Sequence, residues 1–254
     1  MKTRFIIFII IIFSGCSLFG PYNGTIYNDI YYLIKKNKDK YYIDLLERYF
    51  IGDTSLTSDE YKIVYYGSFI KKELVKDLLK TKRIIYSEND FWNKVNKEDK
   101  TETDYNEIET ILKDITLSYP FNHLYLLFLQ KTYWHLNNDS LELKISNKIS
   151  NLVNIILKSG KGNNSDSPYQ VVNIKDEYFT IYFLGYEYSG SVGLDENLCD
   201  IFKIQNKTSS RLICFKDSEL INKEPNLTST LLQMLRHQVE WKKFSERWKI
   251  YENY

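Results

Sequence analysis

The ten residues Ser159-Gly-Lys-Gly-Asn-Asn-Ser-Asp-Ser-Pro168 divide this chain into segments that call for different backbone periods. Upstream, apolar residues recur every three or four positions, the period of an amphipathic helix. Downstream, aromatic and β-branched residues gather in short runs bounded by turn residues, which marks strands. The dividing segment is loop chemistry throughout. The expected class is α+β: a helical region over 25–158, a small antiparallel β region over 159–220 and a C-terminal helix over 221–254.

Several helices are marked locally. Ile26, Ile30, Leu33 and Ile34 share one face, and Leu45, Leu46, Tyr49 and Phe50 share another, predicting helices over 25–36 and 40–50. Thr57-Ser-Asp-Glu60 is a capping-box pattern ahead of Tyr61, Val64, Tyr65 and Phe69. Leu74, Leu78 and Leu79 keep helical register in a lysine-rich stretch over 71–83. The polar segment 86–104, with Phe91 and Trp92 as anchors, reads as a long loop with a helical turn. Ile108, Ile111, Leu112 and Ile115 form a stripe that ends at Tyr119-Pro120, and Phe121 to His135 is apolar nearly all round. After the turn at Asn137–Ser140, a further helix runs to about Lys158. Helix, short turn, helix resembles a tetratricopeptide-type hairpin, but no 34-residue repeat extends it. Candidate strands are 169–174, 177–185, 199–205 and 210–216. The last thirty or so residues return to helix, with Leu231, Met234, Trp241 and Trp248 on one stripe.

The amino terminus carries an address. Lys2 and Arg4 precede nine apolar residues, Phe5 to Phe13, then Ser14, Gly15 and Cys16. This is the layout of a secretory signal, and nine residues fall short of the ~20 that span a bilayer. A cysteine after two small residues resembles a lipobox, so residues 1–15 are expected to be a signal peptide and Cys16 the acylated residue, bearing chains such as palmitate. Residues 16–24 then form a short linker. Ser17 stands where an aspartate would favour inner-membrane retention, which leans towards the outer membrane and its periplasmic face. Lys plus Arg number 34 against 33 Asp plus Glu. Losing Lys2 and Arg4 leaves a near-neutral chain with no electrostatic footprint for nucleic acid. The chain contains no alanine and is rich in Ile, Lys, Asn and Tyr. That composition reads as codon bias, so its 22 tyrosines are not taken as a binding signature. Export also permits a disulfide, and Cys199 and Cys214 flank a hairpin at similar distances from its turn. A pair of buried thiols is the alternative.

Catalytic signatures are sparse. Ser189-Gly-Ser-Val-Gly193 misses the G-x-S-x-G elbow and lies in an expected interstrand loop. Ser159-Gly160-Lys161-Gly162 lacks the phosphate-loop spacing and follows a helix, so it reads as a C-cap with Gly160 left-handed. His123, His135 and His237 lack metal-ligand spacing and are expected in capping or surface roles. No cofactor and no catalytic set is expected. Asp176-Glu177-Tyr178 is the most notable polar group. At a strand start its two carboxylates would face opposite ways, with Lys175-Asp176 in a turn and Glu177 exposed.

The landmarks Tyr65-Tyr66-Gly67, Tyr119-Pro120-Phe121, Ser159-Gly160-Lys161-Gly162 with Ser165, Val171-Val172, and Asp176-Glu177-Tyr178 with Leu184-Gly185 occur in a recognisable order. Over about 40–220 the chain resembles the bacterial family called domain of unknown function 4919. Pro168 departs from the small residue usual there, and the C-terminal helix is not a feature of that resemblance. The resemblance implies an exported or lipid-anchored protein and supplies no catalytic residues. The leading expectation is a non-enzymatic, lipid-anchored envelope protein that binds a protein or peptide partner. The alternatives are a periplasmic enzyme, such as a hydrolase, with a site near 159–178, and a small-molecule or lipid carrier using the β region. The loop residues Ser159, Gly160 and Gly162, with Asp176, Glu177 and Tyr178, are the candidate functional positions.

Overall fold

A computed structural model of the chain describes residues 26–72, 74–75, 86–217 and 227–254. The expected signal peptide, Cys16 and the linker lie outside the described residues, as do Leu78 and Leu79. The architecture is α+β: a helical layer, a small sheet and a closing helix.

Helix α1 runs unbroken over Ile26–Phe50, where two helices were expected. The polar run between them contains no proline or glycine, so solvated side chains carry the helix through, and the Asn37 amide donates back to the Leu33 carbonyl at 3.0 Å. Helix α2, Ser58–Ile70, begins with the expected capping box of Thr57 and Glu60. The polar segment thought to be a loop contains helix α3, Glu88–Val95, and the start of α4, Glu102–Ser118. Ser87 with Asp90, and Thr101 with Asp104, cap these helices in the same reciprocal way. Helix α5 spans His123–His135 with Asn122 as its cap, so Pro120 sits in the preceding turn. Helix α6 spans Asp139–Lys158 and closes the expected α5–α6 hairpin.

The β region differs more from expectation. Strand β1, Tyr169–Val171, is followed by helix α7, Ile174–Phe183, where a strand was predicted. Strands β2, Glu187–Leu194, β3, Asp200–Gln205, and β4, Ser210–Asp217, complete a sheet of order β1-β4-β3-β2. It is mixed rather than purely antiparallel, because β1 pairs parallel with β4. The near-miss nucleophile motif, expected in a loop, lies within β2, where register shifts at Gly190 and Gly193 bend the strand. Helix α8, Leu227–Asn253, packs back on the body: Tyr182 contacts both Trp241 (5.8 Å) and Trp248 (4.7 Å). The side chains of Leu231, Met234 and His237 lie outside the described residues.

One core joins the regions that composition separated. It holds Ile34 and Leu46 of α1, Val64 of α2, Leu152 and Ile156 of α6, Phe179 of α7, and Phe202 and Phe215 of the sheet. A second cluster joins α3, α4 and α5 to the chain's end through Phe91, Ile108, Leu112, Phe128 and Tyr254. Among the described residues, no helix is long and apolar enough to cross a membrane.

Candidate functional site

The first turn of α7 carries two adjacent carboxylates into two separate buried networks. Asn173 caps α7, and Asp176 at the third helical position answers it, a reciprocal box written in the sequence as Asn-x-x-Asp. Capping uses one side of the Asp176 carboxylate. Oδ2 accepts from the Tyr65 hydroxyl at 2.6 Å and from the Asn173 amide at 3.0 Å. Oδ1 lies 3.0 Å from Nδ1 of His123, and that ring stacks on Phe179 at 4.3 Å. The Tyr65 hydroxyl in turn accepts the Val172 backbone N–H at 3.0 Å. Tyr65, Asp176 and His123 therefore bind α2, α7 and α5 into one polar junction. Both side chains of the His–Asp pair are 1% exposed. Burial is the main reason the Tyr65 hydroxyl is held far above its usual titration range, with the Asp176 charge next.

His123 thus differs from its expected surface or capping role. Its Nδ1 is engaged by Asp176, while its Nε2 is buried without a hydrogen-bond partner. A small cavity lies beside it, walled by Asn122, Lys175, Phe179, Lys243 and Arg247 among others, with a volume of about 20 Å³. That volume accommodates about one water and no organic substrate.

Glu177, one residue on, turns about 100° around the helix and meets the sheet. It was expected to be exposed in a turn and is instead fully buried, as are Asp200 and Asp217. Asp200 is the residue opposite Phe215 in the β3–β4 ladder, and the two-residue period puts Asp217 on that same face. The row of apolar side chains under α7 therefore ends in carboxylates. Arg236 of α8 approaches Asp217 at 3.8 Å. Burial above all, then the charges of Asp200 and Asp217, pushes the Glu177 carboxyl well above the ordinary range, and a hydrogen bond with Asp200 adds to this. Tyr178 is buried beneath Trp241 and Phe244, at 5.4 and 5.7 Å. Among the described residues, no three His, Cys, Asp or Glu side chains are placed to hold a metal ion.

The loop after α6 is built for closure rather than for phosphate. Gly160 is not the left-handed residue; Gly162 is, with φ +64. A Cβ at Gly160 would stand 2.1 Å from the Pro168 carbonyl oxygen, and one at Gly162 2.1 Å from the Tyr169 ring. The N–H groups of Lys161 and Gly162 both donate to the Ser167 carbonyl, and the Gly162 carbonyl accepts from Cys214. The Ser159 hydroxyl accepts the Gln170 N–H at 2.7 Å. Donors that a phosphate would need are therefore spent on joining α6 to β1 and β4.

Cys199 and Cys214 are buried free thiols. Ile201 stands opposite Cys214, so Cys199 is its diagonal neighbour two positions away, not its partner. Diagonal positions lie about 7–8 Å apart, beyond normal disulfide reach. Burial also pushes the Cys199 thiol up to about 12. Neither thiol is expected to react with maleimide in the native protein, and both should react on unfolding, as intact-mass spectrometry would record. His135 is half-buried, stacked on Tyr105 at 4.2 Å with Nε2 3.1 Å from the Tyr254 carbonyl; burial lowers its titration range.

Of the positions singled out in the sequence, the fold gathers Ser159, Gly160 and Gly162 at one junction and buries Asp176, Glu177 and Tyr178 at another. It adds His123, Tyr65, Asp200 and Asp217, partners separated from α7 by long stretches of chain. A family model described as Domain of unknown function (DUF4919) matches residues 29–223. No curated protein and no solved structure matches the chain.

Proposed function

The chain belongs to the DUF4919 family, and from that premise we propose that it is a lipid-anchored envelope protein, acylated at Cys16, which binds a protein or peptide partner through its helical layer. The observation that supports the binding reading is the exposure of two large apolar side chains on the α5–α6 hairpin. Trp134 is 59% exposed just before its turn and Leu143 55% exposed just after it. Ile51, in the turn after α1, is exposed as well. Tryptophan is prominent among residues that dominate binding energy, and an exposed one on a helical hairpin offers a contact for a partner. The sealed state of the Asp176 network, with room for one water beside it, favours a structural role for the polar groups over turnover.

The test is photo-crosslinking in cells that carry the tagged full chain, alongside Trp134→Ala and Cys16→Ser variants. An alkyne-palmitate label should mark the parent chain and be absent from Cys16→Ser. A reproducible envelope protein should crosslink to the parent and be depleted at least tenfold with Trp134→Ala. Equal capture by both chains would remove the hairpin from the proposal. Hydrolytic turnover by the purified protein that is abolished in His123→Gln would replace the binding reading with an enzymatic one.

A further inference from the structure

The first half of α1 presents an outward face unlike the rest of the helical layer. Ile26, Tyr27, Ile30 and Ile34 point into the core. Away from the core, Tyr31 is exposed at 44%, Tyr32 at 67% and Leu33 at 37%, with Tyr32 central and its two neighbours about 100° to either side of it. Lys35, Lys36 and Lys40 are exposed on the following turns. The acids on this side are Asp29, which is exposed, and Asp39, which is paired with Lys71 at 2.7 Å. A groove of about 270 Å³, lined by Tyr31, Ile34, Lys35, Asp39 and Lys71, runs along this side.

We propose that this face, Tyr31 to Lys40, rests in the headgroup region of an anionic bilayer as a second membrane contact beside the acyl chains. The proposal rests on the Cys16 anchor. Three features select lipid as the occupant. Tyrosine has an apolar ring and a polar tip and concentrates at membrane–water interfaces. Lysines flanking such rings are drawn to anionic headgroups, each adding a comparable increment of attraction. The tether is short: ten residues from Cys16 to Ile26 span at most about 36 Å, so an anchored chain holds this end of α1 at the membrane at a millimolar effective concentration. A face too weak to bind lipid from solution is then occupied.

The experiment uses the full-length, lipidated protein reconstituted into phosphatidylcholine vesicles containing phosphatidylglycerol. A polarity-sensitive maleimide is attached at Tyr32→Cys, or at Ile51→Cys as reference. Ile51 is 77% exposed in the turn directly after the same helix, about 28 Å away at about 1.5 Å per residue. The native thiols do not compete, because Cys199 and Cys214 are buried and the acylated Cys16 carries a thioether. The expected result is at least fivefold protection of the dye at position 32 from aqueous iodide, with a blue shift, while position 51 stays quenched. Equal quenching at both positions on vesicle-bound protein overturns the proposal and leaves the anchor standing. Protection at position 32 in the Cys16→Ser chain free of lipid and detergent also overturns it, and assigns the face to a second copy of the chain. Failure of the protein to float with vesicles overturns the anchor and this inference together.

Discussion

Replacing Asp176 with alanine should cost about 3–5 kcal/mol of stability, the range for leaving several buried polar partners unsatisfied. The carboxylate accepts from the Tyr65 hydroxyl and the Asn173 amide and faces Nδ1 of His123. Removing it leaves all three without that acceptor. In a chain of this size each kcal/mol moves the melting temperature by roughly 2–4 °C, so a drop of about 6–20 °C is expected in calorimetry. Tyr65→Phe removes one donor and the acceptor for the Val172 N–H, and about 1–3 kcal/mol should follow. The two changes share a hydrogen bond, so the double variant should fall short of their sum by about 0.5–3 kcal/mol. A loss below 1 kcal/mol in Asp176→Ala would show that the network does not hold α2, α5 and α7 together.

Glu177→Gln should change the pH dependence of stability rather than abolish folding. The native Glu177 carboxyl titrates well above the usual range, from burial first and the Asp200 and Asp217 charges next. A carboxyl whose native value is raised favours folding fully below its unfolded value of about 4.3, and that contribution is lost as pH rises through the native value. Over this window the loss approaches about 1.4 kcal/mol per pH unit. Glutamine carries no charge at any pH and retains an N–H donor for Asp200. The variant should therefore match the parent near pH 4 and become progressively more stable relative to it towards pH 8, read as urea midpoints at each pH. Asp53, held down to about 2 by Arg48 and Ser55, acts in the opposite sense. Its contribution is present above its unfolded value and lost as pH falls, but it is common to both chains and cancels in the comparison. Parallel curves across the range would mean that Glu177 titrates normally.

What the residues settle locally is legible without coordinates. The Thr57–Glu60 box, the stripe on α4 and the Asn138 turn each specify an element because their partners lie within one or two helical turns. The same is true of the loop at 159–168, where composition alone forbids regular structure. Helix α7 shows where such reading stops. Its residues Ile174–Phe183 are aromatic and β-branched, a strand composition, and seven of them are buried between the sheet and the helical layer, so no polar face displays the helical period. The Asn173–Asp176 box was the one local sign. The rest was decided in three dimensions. Tyr65 and His123 lie 111 and 53 residues from Asp176, and Asp200 and Asp217 reach Glu177 only through the β3–β4 register. The α+β order, the Thr57–Glu60 cap and the turns follow from local chemistry, because short-range hydrogen bonds and side-chain period suffice for those. Which carboxylate pairs with His123, which is pushed up in its titration by burial, and which cysteines stay apart depend on contacts between distant segments, because burial and register are properties of the folded chain.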